Sequence, residues 1–253
     1  MDRSIRTVDD VMHLLDGLFA PEADRWTDTA SDWWDGFYAD RDRPVPFFVS
    51  KPDENLVSYL ERGMLRPDGR ALDLGCGPGR NALHLAAAGY EVDAVDLSPT
   101  AVAWAGERAA EAAPEVRGRL RFRQGDVFAL AADALPGPYD LIHDSGCFHH
   151  LPPHRRIGYL ALIGRLLAPG GHFSLACFAA GEDGMGCEIP DGELYGAAAP
   201  QLHGGLAYTS ESLRRIFSSL DEVELRRMRD ESAASDRFGE PFLWAGLFRR
   251  HHC

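Results

Sequence analysis

The stretch ALDLGCGPGRNALHLAAAGYEVDAVDLS, residues 71–98, restricts the fold of this chain more than any other. A short apolar run, 71–74, enters Gly75-Cys76-Gly77-Pro78-Gly79, and a small-residue helix over Asn81–Ala88 begins at once and stops at Gly89. Gly75 and Gly77 remove side chains where a ligand must approach the backbone, and they permit dihedrals that larger residues resist. A second apolar run, 91–97, carries Asp96 at its end, about 20 residues past the glycines. Strand, tight turn, helix and strand in that order imply parallel pairing, since a parallel connection needs a crossover of helical length.

The alternation continues down the chain. Strands are expected over 119–126, 139–144 and 172–178, with helices over 99–112 and 157–167, the second ended by Pro169-Gly170-Gly171. Thr209 or Ser210 is expected to cap a helix running to about Leu220. EVELRRM (222–228) and PFLWAGLFRR (241–250) read as two closing strands. The fold class this predicts is α/β: a Rossmann-like, doubly wound, mostly parallel seven-stranded sheet with an antiparallel closing hairpin and a helical N-terminal lid. Residues 1–68 form the lid segment, with an amphipathic helix over Val8–Phe19, an aromatic block (Trp26, Trp33, Trp34, Phe37, Tyr38, Phe47, Phe48) and a helix over Asn55–Met64. Residues 69–253 form the second unit, which carries a Gly-rich insertion at about 179–208 near the expected substrate site.

Charge and cysteine usage narrow the partners. Asp and Glu number 39 against 26 Lys and Arg, a net charge of −13 that opposes a polyanionic partner, so no nucleic acid is expected. Five cysteines form no paired framework, and the N-terminus lacks an apolar leader core. Both suggest reduced thiols and a cytoplasmic address. No window approaches the roughly 18 uninterrupted apolar residues of a membrane span, so no membrane partner is expected either. Oligomeric state is left open.

Two cofactor classes compete for the glycine turn. Dinucleotide binders use G-x-G-x-x-G, and here Arg80 occupies the position of the last glycine. Asp73 beside the loop would repel a pyrophosphate but suits a cationic amino-acid head; a sulfonium with an α-amino group fits better. Asp96 is placed to accept hydrogen bonds from both hydroxyls of a ribose, each worth roughly 1.5–3 kcal/mol to a charged acceptor.

These residues resemble the S-adenosylmethionine (SAM) site of class I methyltransferases, whose loop D/E-x-G-x-G-x-G precedes a strand ending in an acidic residue. Asp73, Gly75, Gly77, Gly79 and Asp96 stand in register with it. RQGDVFAL, YDLIHDSGCFHHL and LIGRLLAPGGHFSLACF resemble later landmarks of the family in the right order, so the resemblance covers roughly residues 50–180. It implies that Gly75 and Gly77 admit the methionine moiety, Asp96 with Leu97 holds the ribose, Asp126 with Val127 fixes the adenine, and Asp144 borders the site. Arg80 and Asn81 either touch the cofactor or simply begin a helix. GRNALHLAAAGYEVDAVDLS is similar to small-molecule methyltransferases of the tellurite-resistance and thiopurine type, which place an aromatic N-terminal segment over the active site.

The implied function is SAM-dependent methyl transfer to an O, N or S atom of a small molecule. A non-catalytic SAM-binding module and an NAD-dependent oxidoreductase are the alternatives. His149 and His150, just after the fourth strand, are candidates for a general base or for orienting the acceptor, and Tyr38 is a third candidate catalytic group. Cys147, His149, His150 and His154 also invite a zinc reading, but their spacing fits no usual pattern and Pro152-Pro153 interrupts it, so no metal is expected. Glu182, Asp183, Glu188, Asp191 and Glu193 either line the site for a cationic acceptor or belong to a solvated loop.

Overall fold

The computed structural model describes residues 5–19, 25–26, 30–130, 134–181, 183–195 and 204–251. Strands β1 (Arg70–Leu74), β2 (Glu91–Asp96), β3 (Leu120–Gln124), β4 (Tyr139–Ser145), β5 (Leu167–Phe178), β6 (Asp221–Arg227) and β7 (Leu243–Arg249) form one sheet in the order β3-β2-β1-β4-β5-β7-β6. The first five run parallel, and β7 lies antiparallel between β5 and β6. Winding proceeds outward from β1 through β2 to β3, then restarts at β4 on the other side of β1. The crevice at that reversal is where open α/β sheets receive ligands.

Alternation along each strand builds two cores. Leu72, Leu74, Ile142, Phe173 and Leu175 pack against Tyr159, Leu162 and Ile163 of helix α7 (Arg156–Leu166) and Leu213 of α8 (Ser210–Ile216). On the other face, Ala71, Val92, Ala94 and Leu141 pack under α3 (Glu54–Glu61) and α4 (Arg80–Ala88) through Leu56, Tyr59, Ala82 and Leu85. The small side chains of α4 let it sit close to the sheet. The remaining helices are α1 (Val8–Leu18), α2 (Ser31–Ala39), α5 (Pro99–Ala110) and α6 (Pro114–Arg117).

Three boundaries differ from the sequence reading. The Pro169-Gly170-Gly171 turn lies inside the span of β5, because Gly170 N–H donates to Arg250 O and Arg250 N–H to Gly171 O, which ties the turn to the chain beyond β7. Tyr139 pairs with Leu167 and Leu141 with His172, so the residues between bulge out of the ladder. Helix α8 ends at Ile216, and β3 stops at Gln124, which leaves Asp126 on a loop.

A buried polar seam joins the N-terminal segment to the sheet. Asp73, His143 and Ser174 are cross-strand neighbours on one face, and His143 Nδ1 lies 3.1 Å from Ser174 Oγ. Asp53, just before α3, meets this row: its carboxylate forms an ion pair with Arg80, accepts from Asn81 Nδ2 at 3.1 Å and faces His143 Nε2 at 3.4 Å. Asn81 Oδ1 returns the contact by accepting from Asp53 N–H at 2.9 Å. Burial alone would raise the Asp53 carboxyl, but the Arg80 guanidinium and His143 reverse that and hold it well below the usual carboxylate range. The stability this contributes is therefore complete above about pH 4 and is lost as pH falls below it. Asp53→Ala strands a buried guanidinium, so urea unfolding at neutral pH is expected to show a loss of about 3–5 kcal/mol.

Candidate active site

The glycine turn leads from β1 into α4 through backbone that side chains resist. Gly75 and Gly77 have φ of +65° and +49°. A Cβ on Gly75 would stand 2.9 Å from Cys147 Cβ, and one on Gly77 would stand 3.0 Å from the Tyr38 hydroxyl. Gly79 serves packing, since its Cβ would meet Ala105 of α5 at 2.9 Å. Above the turn lies a cavity of about 400 Å³, over the carboxyl ends of β1, β2 and β4.

Asp96 is the rim residue that binds this geometry together. One carboxylate oxygen accepts Gly77 N–H at 2.8 Å and the other accepts Ser98 N–H at 2.9 Å, while the side chain still lines the cavity. Burial raises its carboxyl to about 6, against the pull of those N–H groups. The N-terminal segment is fastened to the residues that follow: Asp35 accepts from Ser98 Oγ at 2.5 Å and Thr100 N–H at 2.9 Å, and Ser31 Oγ donates to Leu97 O at 3.1 Å.

Among the residues singled out from sequence, Tyr38, Gly75, Arg80, Asp96, Leu97, Asp126, Val127, His149 and His150 line the cavity together. Asp73, Gly77, Gly79, Asn81 and Asp144 do not. Asp73 lies in the polar seam beneath the turn, its carboxyl raised to about 6 by burial and its Oδ2 without a hydrogen-bond partner. Asn81 is committed to Asp53. Asp144 accepts from Tyr159 Oη at 2.6 Å, from Cys147 N–H at 2.9 Å and from Phe148 N–H, so it shapes the turn after β4 from below. Tyr38 lines the cavity above Gly77, and burial with nearby Asp96 pushes its phenol well above the usual range.

The residue types fit a SAM-like cofactor. A carboxylate at the rim answers a ribose diol, an open glycine turn admits a chain beside it, and an underused carboxylate oxygen at Asp73 lies below, where a cationic head would find complementary charge. Asp126 and Val127 line the far edge.

The two histidines differ. Phe178 N–H donates to His149 Nδ1 at 3.3 Å, and the His149 ring stacks on Phe178 at 3.7 Å with planes 9° apart. His150 meets Trp34 edge to face at 5.0 Å, and its Nδ1 is buried without a partner. Burial holds both rings well below the usual imidazole range, His150 at about 3 with help from the Arg25 charge. His154 turns elsewhere, to Asp16 at 2.7 Å and Tyr195 at 2.9 Å. Among the described residues no group of three His, Cys, Asp or Glu side chains converges as a metal site.

Asp183, Glu188, Asp191 and Glu193 are exposed and none lines the cavity, which favours the solvated-loop reading; Glu182 lies outside the described residues, as do 196–203 of the insertion. Sequence reading missed Arg25, Phe178, Phe238 and Phe242, which line the cavity from the N-terminal segment, the end of β5 and the loop before β7. None belongs to a spaced motif, so only the fold could bring them together.

The sheet order, with β7 antiparallel between β5 and β6, defines a Rossmann-like α/β architecture. Residues 71–171 match the family model of the methyltransferase domain. The chain is 32% identical over 135 residues to 2-heptyl-1-hydroxyquinolin-4(1H)-one methyltransferase of Mycobacteroides abscessus, covering 53% of this chain and 56% of that protein. The matched part thus spans little more than half of that curated relative's length. Among solved structures, the glycopeptide N-methyltransferase MtfA complexed with SAM superposes with TM-score 0.56 and 23% identity, covering 79% of this chain and 95% of that one. TehB from Haemophilus influenzae superposes with TM-score 0.53 and 18% identity, covering 78% and 61%. At those identities the structures speak for the fold.

Gly75→Ala imposes both a left-handed non-glycine residue and a clash with Cys147. Thermal or urea unfolding is expected to show a loss of about 2–4 kcal/mol. In that background Cys147→Gly should recover the packing part only.

Proposed function

We propose that the chain is a cytoplasmic SAM-dependent methyltransferase that acts on a small molecule through an O, N or S acceptor. The observation that carries this is Asp96: a carboxylate at the end of β2, lining the cavity and joined to the glycine turn through Gly77 N–H. In this reading Asp96 with Leu97 receives the ribose, Gly75 and Gly77 leave room for the methionine part, and Asp126 with Val127 frames the adenine. Arg80 stays in the seam as a positioning residue, paired with Asp53 and donating to Ser145 Oγ at 3.2 Å. Residues 1–68 act as the lid and 69–253 as the catalytic unit.

Bound SAM supplies an activated methyl group, and the protein's task is alignment and exclusion of water, an effect worth roughly 7–11 kcal/mol. Trp33, Trp34, Phe37 and Phe47 surround the approach from the lid side. An aromatic-lined cavity and a net charge of −13 favour a small molecule over a nucleic acid. The four described cysteines are free, and no described helix is long and apolar enough to cross a membrane.

Calorimetry with SAM and S-adenosylhomocysteine tests the reading. Binding by the wild type and a loss of at least about ten-fold in Asp96→Ala are expected, the yield of one or more hydrogen bonds to a charged group. No binding, or equal binding by the variant, overturns it. A second outcome follows from the Asp96 carboxyl, which burial places at about 6. Only the ionised form accepts both ribose hydroxyls, so S-adenosylhomocysteine affinity should hold above about pH 7 and weaken as pH falls through 6.

A further inference from the structure

The acceptor side of the cavity has a chemistry of its own. Its walls are aromatic: Trp33, Trp34, Phe37 and Phe47 from the lid, and Phe178 from the end of β5. Trp33 and Phe37 stack at 5.4 Å, as do Phe37 and Phe47 at 6.0 Å, with planes within 18° and 14° of parallel. Arg25 also lines this side, its guanidinium 3.5 Å from the centre of the Trp33 ring.

His149 fixes the polarity at the floor. Its Nδ1 accepts the Phe178 N–H, so the neutral ring carries its proton on Nε2. A Cβ on Gly205 would stand 2.5 Å from His149 Cδ2, and the ring lies flat on Phe178, so it has no room to flip. Taking a substrate proton at Nε2 would require moving its own proton to Nδ1, where it would oppose the Phe178 N–H donor to donor. His149 therefore presents an N–H to the cavity and is a poor general base. Of the two roles offered for His149, general base or orientation of the acceptor, this geometry favours orientation, and the His150 ring, buried beside the Arg25 charge, offers little as a base.

Resting on the methyltransferase reading above, we infer that the acceptor is a flat, apolar aromatic molecule with an acidic hydroxyl, received as its oxyanion by the Nε2–H of His149. The hydroxyl proton goes to water before the acceptor is seated. An oxygen lone pair then forms the bond to the methyl carbon as the carbon–sulfur bond breaks, its electron pair staying on sulfur. Anion and sulfonium become a neutral ether and a neutral thioether, and no proton leaves in the step. The Nε2–H of His149 supplies the partner without which an ion against an apolar wall would be costly.

The test uses the full-length protein saturated with S-adenosylhomocysteine, with 4-nitrophenol and its uncharged analogue 4-nitroanisole as probes. Absorbance titration is expected to show 4-nitrophenol bound as phenolate at a pH where the free compound is mostly protonated. Its affinity should exceed that of 4-nitroanisole by at least about ten-fold. His149→Phe should abolish the preference, and His149→Gln, which keeps an N–H, should retain part of it; calorimetry should show S-adenosylhomocysteine affinity unchanged in both. Binding of the neutral phenol, equal affinity for the two probes, binding of neither, or a preference that survives His149→Phe overturns the inference while leaving the methyltransferase reading in place. Failure of S-adenosylhomocysteine to bind overturns both.

Discussion

The hydrogen bond from Gly77 N–H to the Asp96 carboxylate is the constraint on which the rest of the site depends. It crosses from the turn after β1 to the end of β2, so a backbone that only glycine adopts comfortably is held against a carboxylate that burial would prefer to neutralise. Neither partner is comfortable alone. Together they keep a ligand-sized gap between turn and rim, with the second lone pair of each carboxylate oxygen still available. The cost of keeping Asp96 partly buried is visible in its raised carboxyl. A ligand bringing two hydroxyl donors would relieve that cost, and this is why such a residue signals binding more than stability.

The polar seam beneath explains how the gap keeps its shape. Asp53, Arg80, Asn81 and His143 are all buried, and their contacts lock the start of α4 to both the N-terminal segment and β4. Arg80 also stacks on Phe238 at 4.3 Å and donates to Ser145 Oγ, so the same guanidinium reaches the loop before β7 and the end of β4. Asp53, His143 and Ser174 stand in the order of a nucleophilic relay. Yet all three are sealed under helices α3 and α4, and their role is to fill a buried polar layer with mutual partners.

Much of this was legible in the sequence because periodicity and glycine placement are local. The strands 71–74, 91–97 and 139–144, the helix after the turn, and the closing pair of strands all follow from short-range pattern. Roles set by three-dimensional neighbours were not legible. Asp144 looks like a rim residue from its position after β4, but the inward alternation of that strand turns its carboxylate down to Tyr159 and the N–H groups of the next turn. His149 reads as a base or an orienting group from its residue type. Its Nδ1 is met by the N–H of Phe178, nearly thirty positions away and adjacent only because β4 and β5 pair. The Pro-Gly-Gly turn reads as the stop of α7, but the helix ends at Leu166 and the turn lies inside β5, and its capture by the backbone beyond β7 could not be seen from one segment.

The N-terminal segment and the rim share an anchor, and this links the two sides of the cavity. Asp35 and Ser31 of α2 bond to Ser98, Thr100 and Leu97, the residues immediately after Asp96. On the same helix Trp33 and Trp34 line the cavity, and Tyr38 near its end stands over Gly77. A single short helix therefore touches the Asp96 rim, the glycine turn and the aromatic wall of the cavity. A displacement of Asp96 would pass through Ser98 to α2, and so to that wall, which couples the two sides of the cavity mechanically.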